Sequence, residues 1–126
     1  MTFGRFDHNN PKVVGPKLET GKYYITAGRL AAGTGTVKME LFVNSANLVG
    51  AGMFPVKADA NPSKMAIGQE RDAIEHPGKE SFDGEIARFL IYQRPLTDQE
   101  LNKTIKYLAL YYGLKKAWYT KRGHQW

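Results

Sequence analysis

Between Thr36 and Asn44 the segment TVKMELFVN alternates, with Val37, Met39, Leu41 and Val43 on one face and Lys38, Glu40 and Asn44 on the other. A period of two in β-prone residues predicts a strand of a half-buried antiparallel sheet. The segment YYITAGRL, from Tyr23, is β-prone in the same way. The AAGTG between the two carries two glycines in a short connection, which suits a hairpin-like link whose turn sets the register. SAN, residues 45 to 47, signals a further turn, and the short apolar run LVGAGMFPV follows it. ADANPS, with Asn61 and Pro62, reads as a loop, and KMAIG after it as a brief strand broken at Gly68.

The pattern then changes. In DGEIARFLIYQ, Ile86, Leu90 and Tyr92 share one face while Ala87, Phe89 and Ile91 share the other. A strand apolar on both faces belongs inside a layered structure, in the middle of a sheet. Beyond it, Thr97 and Glu100 have the spacing of a capping box, and Leu96 and Leu101 that of a hydrophobic staple. Together they predict a helix whose buried stripe is Leu101, Ile105, Leu108 and Tyr112, with Gly113 as its left-handed stop. Strands in series, followed by one late amphipathic helix, point to an antiparallel β domain rather than a parallel doubly wound sheet.

A chain of 126 residues fits one domain. Its 42% hydrophobic and 24% charged residues are those of a soluble globular protein, with thirteen glycines and six prolines marking many turns. Cysteine is missing, which removes disulfides, thiolate metal sites and a cysteine nucleophile. No apolar run approaches the roughly 20 residues of a membrane span, and MTFGRFDHNN lacks the charged start and hydrophobic middle of a secretory leader, so no membrane partner is expected. The net charge of +6 invites an acidic partner, yet Lys115, Lys116, Lys121 and Arg122 all follow Gly113. Residues 115 to 126 are therefore a basic tail on a more neutral body, residues 1 to 114. A charged end is a weaker nucleic-acid signal than a basic stripe on a folded face, so nucleic acid enters here only as a second alternative, through the tail.

Candidate chemistry is sparse. His8, His76 and His124 are scattered without the i, i+4 spacing of a helical zinc pair. Gly33 and Gly35 lack the third glycine, the Lys-Ser/Thr ending and the following helix of a nucleotide loop, and read as a strand connection. Aromatic rings are common platforms for sugars, so Tyr23, Tyr24, Trp118 and Trp126 are candidates, with Asn44 and Asp72 offering polar contacts. Of these, Tyr23, Asn44, Asp72 and Trp118 form the candidate ligand-binding set, against the plainer reading that the tyrosines pack in the core. Finally, GQERDAIEHPG sets Glu70, Asp72 and Glu75 within six positions. With Asp83 they could supply hard oxygens for calcium, although no ligand loop of known spacing is present.

The segment from Phe82 to Leu114, FDGEIARFLIYQRPLTDQELNKTIKYLALYYGL, resembles the C-terminal signature of concanavalin A-like, laminin-G-like jelly-roll modules. Phe82, Gly84, Ile86, Ile91, Tyr92, Leu96, Glu100, Leu108, Tyr112 and Gly113 stand at the matching places. Upstream, ELFVNSA resembles the family's strand ending in Val-Asn before a turn, and KMAIG its short Ile-Gly strand. The resemblance covers roughly residues 20 to 114 and lies in ordered blocks rather than in one motif. It implies an all-β fold, an antiparallel β-sandwich of jelly-roll type with one C-terminal amphipathic helix packed across it. Such modules are usually longer, and the blocks here are those of their second half, so the expectation is an N-terminally incomplete jelly roll. Uncovered sheet edges would then call for a partner chain or a dimer.

The resemblance also sharpens the carboxylates. Laminarinase-type glycosidases of the same fold carry Glu-x-Asp-x-x-Glu on a core strand, the first Glu as nucleophile and the last as acid, and Glu70, Asp72 and Glu75 have that spacing. Arg71, however, stands where such a strand buries an aliphatic side chain, and His76-Pro77-Gly78 ends the segment at once. The resemblance places these carboxylates in a loop between two strands, which argues against an enzyme and leaves a glycoside hydrolase as the alternative. What it implies instead is a non-catalytic recognition module for carbohydrate or protein, part of a larger extracellular or periplasmic bacterial protein, with calcium as the one cofactor its folds suggest.

Overall fold

The computed structural model describes residues 1–4, 11–56, 66–68 and 81–114. The chain divides into two units, one formed by Met1–Lys57 with Gln93–Trp126 and the other by Ala58–Tyr92. Among the described residues the first holds five strands, β1 (Thr2–Gly4), β2 (Lys12–Val14), β3 (Thr26–Leu30), β4 (Thr36–Val43) and β5 (Leu48–Pro55), followed by the helix α1 (Asp98–Tyr111). They make two antiparallel sheets, β1-β2 and β3-β4-β5.

The alternation of TVKMELFVN becomes β4, the central strand of the larger sheet. It pairs with β3 from Thr26↔Val43 to Leu30↔Met39, and with β5 from Thr36↔Pro55 to Leu41↔Gly50. AAGTG closes the β3–β4 hairpin, the Ala31 amide donating to the Lys38 carbonyl at 2.8 Å. Past Leu41 the register slips by one, so that Phe42 faces Leu48 and Val49 is the extra residue of a bulge.

β4 is buried on both sides, not half-buried as its alternation predicts. Its Val37, Met39 and Leu41 are buried on one face, and Met39 and Leu41 join Val13 of β2 in a core flanked by Met1, Phe3, Leu30 and Phe54. The small β1-β2 sheet therefore lies on this face. It was not anticipated, because three-residue strands carry too little periodicity to read. Its close approach depends on glycine: a Cβ at Gly28 would stand 2.4 Å from the Phe3 ring, and one at Gly50 2.6 Å from the Val13 side chain. On the opposite face Phe42 packs with Leu101 and Ile105 of α1, flanked by Ile25, Ala27, Ala46 and Leu96. Phe42 sits in the polar register of the alternation, and that one apolar position is where the helix docks.

α1 begins where the capping box predicts. The Thr97 hydroxyl oxygen accepts from the Glu100 amide at 3.2 Å, and the Glu100 carboxylate accepts from the Thr97 amide at 2.9 Å. Leu96 and Leu101 lie in the same apolar cluster, as a staple requires. The helix ends at Gly113, whose φ of 68° is the left-handed conformation open to glycine at little cost. Its buried line is Leu101, Ile105 and Ala109, in steps of four, rather than the expected Leu101, Ile105, Leu108 and Tyr112. Leu108 is half-buried and Tyr112 exposed. A row in steps of four drifts about 40° round the helix at each step, so the buried line winds to the small Ala109, whereas the expected stripe runs along the axis to Tyr112.

In the second unit the Phe82 amide donates to the Gly68 carbonyl at 2.6 Å. The expected central strand DGEIARFLIYQ is not formed: residues 82 to 92 carry no strand and every one of them is exposed. Strand formation is decided by neighbours on both edges and both faces more than by propensity, and apolar alternation alone does not supply them. Ala66, Ile67 and Gly68, the described part of KMAIG, form no strand either.

The buried line of α1 has a measurable consequence. Ile105→Ala should lower unfolding free energy by about 3 kcal/mol, read from the urea midpoint, because it empties a fully buried position. Tyr112→Ala should cost under about 1 kcal/mol, since its ring is exposed. The expected stripe would make both costly.

Candidate functional site

The strongest polar constellation lies where α1 meets the sheet. Arg29 of β3 stands opposite Glu40 of β4, on the face that carries Phe42 and the helix. Its Nε donates to Glu40 Oε2 at 2.7 Å, and its second terminal nitrogen stands 2.7 Å from the same oxygen. The other terminal nitrogen donates to the Leu96 carbonyl at 2.9 Å and to Asp98 Oδ1 at 2.7 Å. The guanidinium carbon also sits 5.2 Å from the centre of the Phe42 ring, a cation–π distance. Lys38 contacts the other oxygen of Glu40.

Glu40 is the buried charged residue among those described. Burial pushes its carboxyl up, but the hydrogen bonds from Arg29 and Lys38 outweigh this and hold it below the ordinary glutamate range. Burial likewise works against the Arg29 charge, and Glu40 and Asp98 more than restore it. A carboxylate held charged between two cations and a guanidinium bonded to three partners are arranged as an ion-pair network. The cluster is a clamp between two strands and a helix start. Nearby, Arg94 holds Glu100 in a bidentate pair at 2.7 and 2.9 Å. Those bonds first, and those from the Thr97 amide and hydroxyl next, hold the Glu100 carboxyl at about 2.

Tyr23 and Asn44 are brought to one end of the β3–β4 ladder. Asn44 adopts φ 57°, and its amide donates to the Ile25 carbonyl at 2.7 Å while its Oδ1 accepts the Ile25 amide at 2.9 Å. Asparagine tolerates this left-handed backbone, and the two bonds extend the ladder by one pair. Its side-chain oxygen is thus committed to the fold. Tyr23 does not pack in the core: it precedes the first ladder pair and is 55% exposed. Tyr24 is half-buried, its hydroxyl accepting the Glu19 amide at 3.1 Å.

Asp72 and Trp118, the other two ligand candidates, lie outside the described residues, as do Trp126, Glu70, Glu75 and the three histidines. Asp83, the fourth calcium candidate, is exposed. Among the described residues no three His, Cys, Asp or Glu side chains gather where they could hold a metal ion.

Sequence reasoning missed Arg29 and the tyrosines of α1. The first had a signal: an arginine in the β-prone YYITAGRL and a glutamate in the alternation of the next strand, which the hairpin places opposite each other. Tyr107 and Tyr111 are 53% and 61% exposed on the helix. They stand outside the apolar stripe, so their positions were legible as outward-facing.

Comparison with protein-family models, with curated proteins and with solved structures finds no match to this chain.

Arg29→Met should cost about 3 kcal/mol at neutral pH, because it leaves Glu40 buried beside Lys38 alone. That deficit should shrink as pH falls, since the orphaned carboxyl is then raised by burial and is relieved by taking up a proton. In the intact protein the sign is opposite. Glu40 and Glu100 are both depressed, so their stabilisation is present above the ordinary glutamate pKa of about 4.3 and is lost as pH falls toward 2. Urea midpoints of Arg29→Met, Glu100→Gln and the unaltered chain between pH 7 and about 2.5 check both, with the acid limb flatter in Glu100→Gln.

Proposed function

We propose that this chain is a non-catalytic recognition module of the concanavalin A-like, laminin-G-like jelly-roll kind, binding carbohydrate or protein. The observation that carries the reading is the helical half of the resemblance, Leu96 to Gly113, since the residues 82 to 92 that precede it form no strand. Three of the matching residues have defined places there: Glu100 in the capping pair, Leu96 in the staple and Gly113 at the left-handed stop. A helix laid on an antiparallel sheet through Leu101, Ile105 and Phe42 agrees with the arrangement such modules use. The described carboxylates nearest the core, Glu40, Asp98 and Glu100, are tied to arginines, which suits a scaffold rather than acid–base chemistry. The module belongs outside the cell or in the periplasm, and its ligand contacts centre on the exposed Tyr23 at the end of the β3–β4 ladder. This reading rests on analogy of fold, and one fold serves lectins, adhesion modules and glycosidases alike.

A glycan array probed with the whole chain tests it. Binding to a defined set of glycans, weakened about tenfold in Tyr23→Ala with an unchanged thermal midpoint, is the expected result. No glycan binding, but a defined protein partner, would keep the recognition module and remove its lectin form. Turnover of a glucan that disappears in Glu70→Gln would overturn the proposal.

A further inference from the structure

The side of α1 turned away from Leu101, Ile105 and Ala109 carries Lys103, Lys106, Tyr107, Leu110 and Tyr111, all exposed. A helix face that serves only to meet water favours Lys, Glu, Gln and Ala, which cost little in propensity and hydrate well. This one has rings instead. Tyr107 and Tyr111 stand with centroids 5.9 Å apart and planes 32° from one another, and Tyr111 meets Tyr112 edge-on at 4.9 Å. The result is an aromatic ledge about one and a half helical turns long, flanked by the ammonium groups of Lys103 and Lys106.

The charge of the chain falls on the same end. Residues 101 to 126 hold six Lys and Arg, namely Lys103, Lys106, Lys115, Lys116, Lys121 and Arg122, and no Asp or Glu. The first hundred residues hold the other twelve basic residues and all twelve acidic ones, so they are neutral as a whole. The entire net charge of +6 therefore belongs to residues 101 to 126, which begin inside α1 after its acidic first turn. Trp118, Tyr119 and Trp126 continue the aromatic content of that segment in sequence.

We propose that the outward face of α1 binds single-stranded nucleic acid, with bases stacking on Tyr107 and Tyr111 and phosphates meeting Lys103 and Lys106. The two observations select this ligand together. Positive charge without acids would take any polyanion, including sulfated glycans, anionic membranes and duplex DNA. Exposed rings favour a partner with flat faces of its own, which unpaired bases present and duplexes conceal. A neutral sugar would use the rings but gain nothing from the charge. This activity is separate from the recognition proposed above, which centres on Tyr23 at the β3–β4 ladder.

The test is fluorescence anisotropy of the full chain with a labelled oligothymidylate of about 20 nucleotides, and with a duplex of the same length, over a range of salt. Expected is tighter binding of the single strand. Replacing both Tyr107 and Tyr111 by Ala should weaken it about tenfold or more with the thermal midpoint unchanged. Lys103→Gln with Lys106→Gln should lower the slope of log affinity against log salt by about 1.4. Absence of single-strand binding at low salt overturns the proposal. Equal affinity for duplex or heparin with no loss in the tyrosine variant also overturns it, leaving adhesion to polyanions in general. So does binding to vesicles of anionic phospholipid in place of the oligonucleotide.

Discussion

Arg29 is the point on which the first unit turns. The hairpin AAGTG places it opposite Glu40, and the chain returns about seventy residues later to set Leu96 and Asp98 against the same guanidinium. One planar cation thereby fixes the register of β3 on β4, neutralises a buried carboxylate, and caps the approach of α1. Its side chain is only 16% exposed, so the attraction is screened far less than in a surface pair. Phe42 beneath the guanidinium explains the location: the apolar contact that receives Leu101 and Ile105 needs a charged neighbour that is itself satisfied. The capping box adds local precision, but without the clamp the helix has only an apolar stripe with which to choose its place.

Much of this was legible before any coordinates. The β3–β4 hairpin, the turn at residues 45 to 47, and the helix with its cap, staple and stop all follow from local chemistry, and local chemistry is what a sequence displays. What it conceals is pairing at a distance. The β1 and β2 strands are too short to show a period, and the burial of both faces of β4 depends on two layers contributed from remote parts of the chain. DGEIARFLIYQ shows the opposite failure: its alternation is strong, yet no strand forms there, because edges and faces must be supplied by neighbours. The same holds at the candidate site. Asn44, a polar candidate for a ligand, has its side-chain oxygen on the Ile25 amide, a bond arranged by a left-handed φ that the sequence does not display.

The molecule separates two kinds of surface. Residues 1 to 100 balance their charges and pair Glu40, Asp98 and Glu100 with arginines. Residues 101 to 126 carry basic charge and no acid, and α1 belongs to both: its inner face is core and its outer face carries exposed lysines and tyrosines. The division lets substitutions on the outer face leave Leu101, Ile105 and Ala109 untouched.

The claim that Arg29 and Glu40 act as one unit joining sheet and helix is tested most directly by a double-mutant cycle. Urea unfolding of Arg29→Met, Glu40→Gln and the double variant should give a coupling energy of about 2 kcal/mol, the double variant being markedly more stable than the two single losses predict. Losses that add to within about 0.5 kcal/mol would contradict it and reduce the clamp to a bystander of apolar packing.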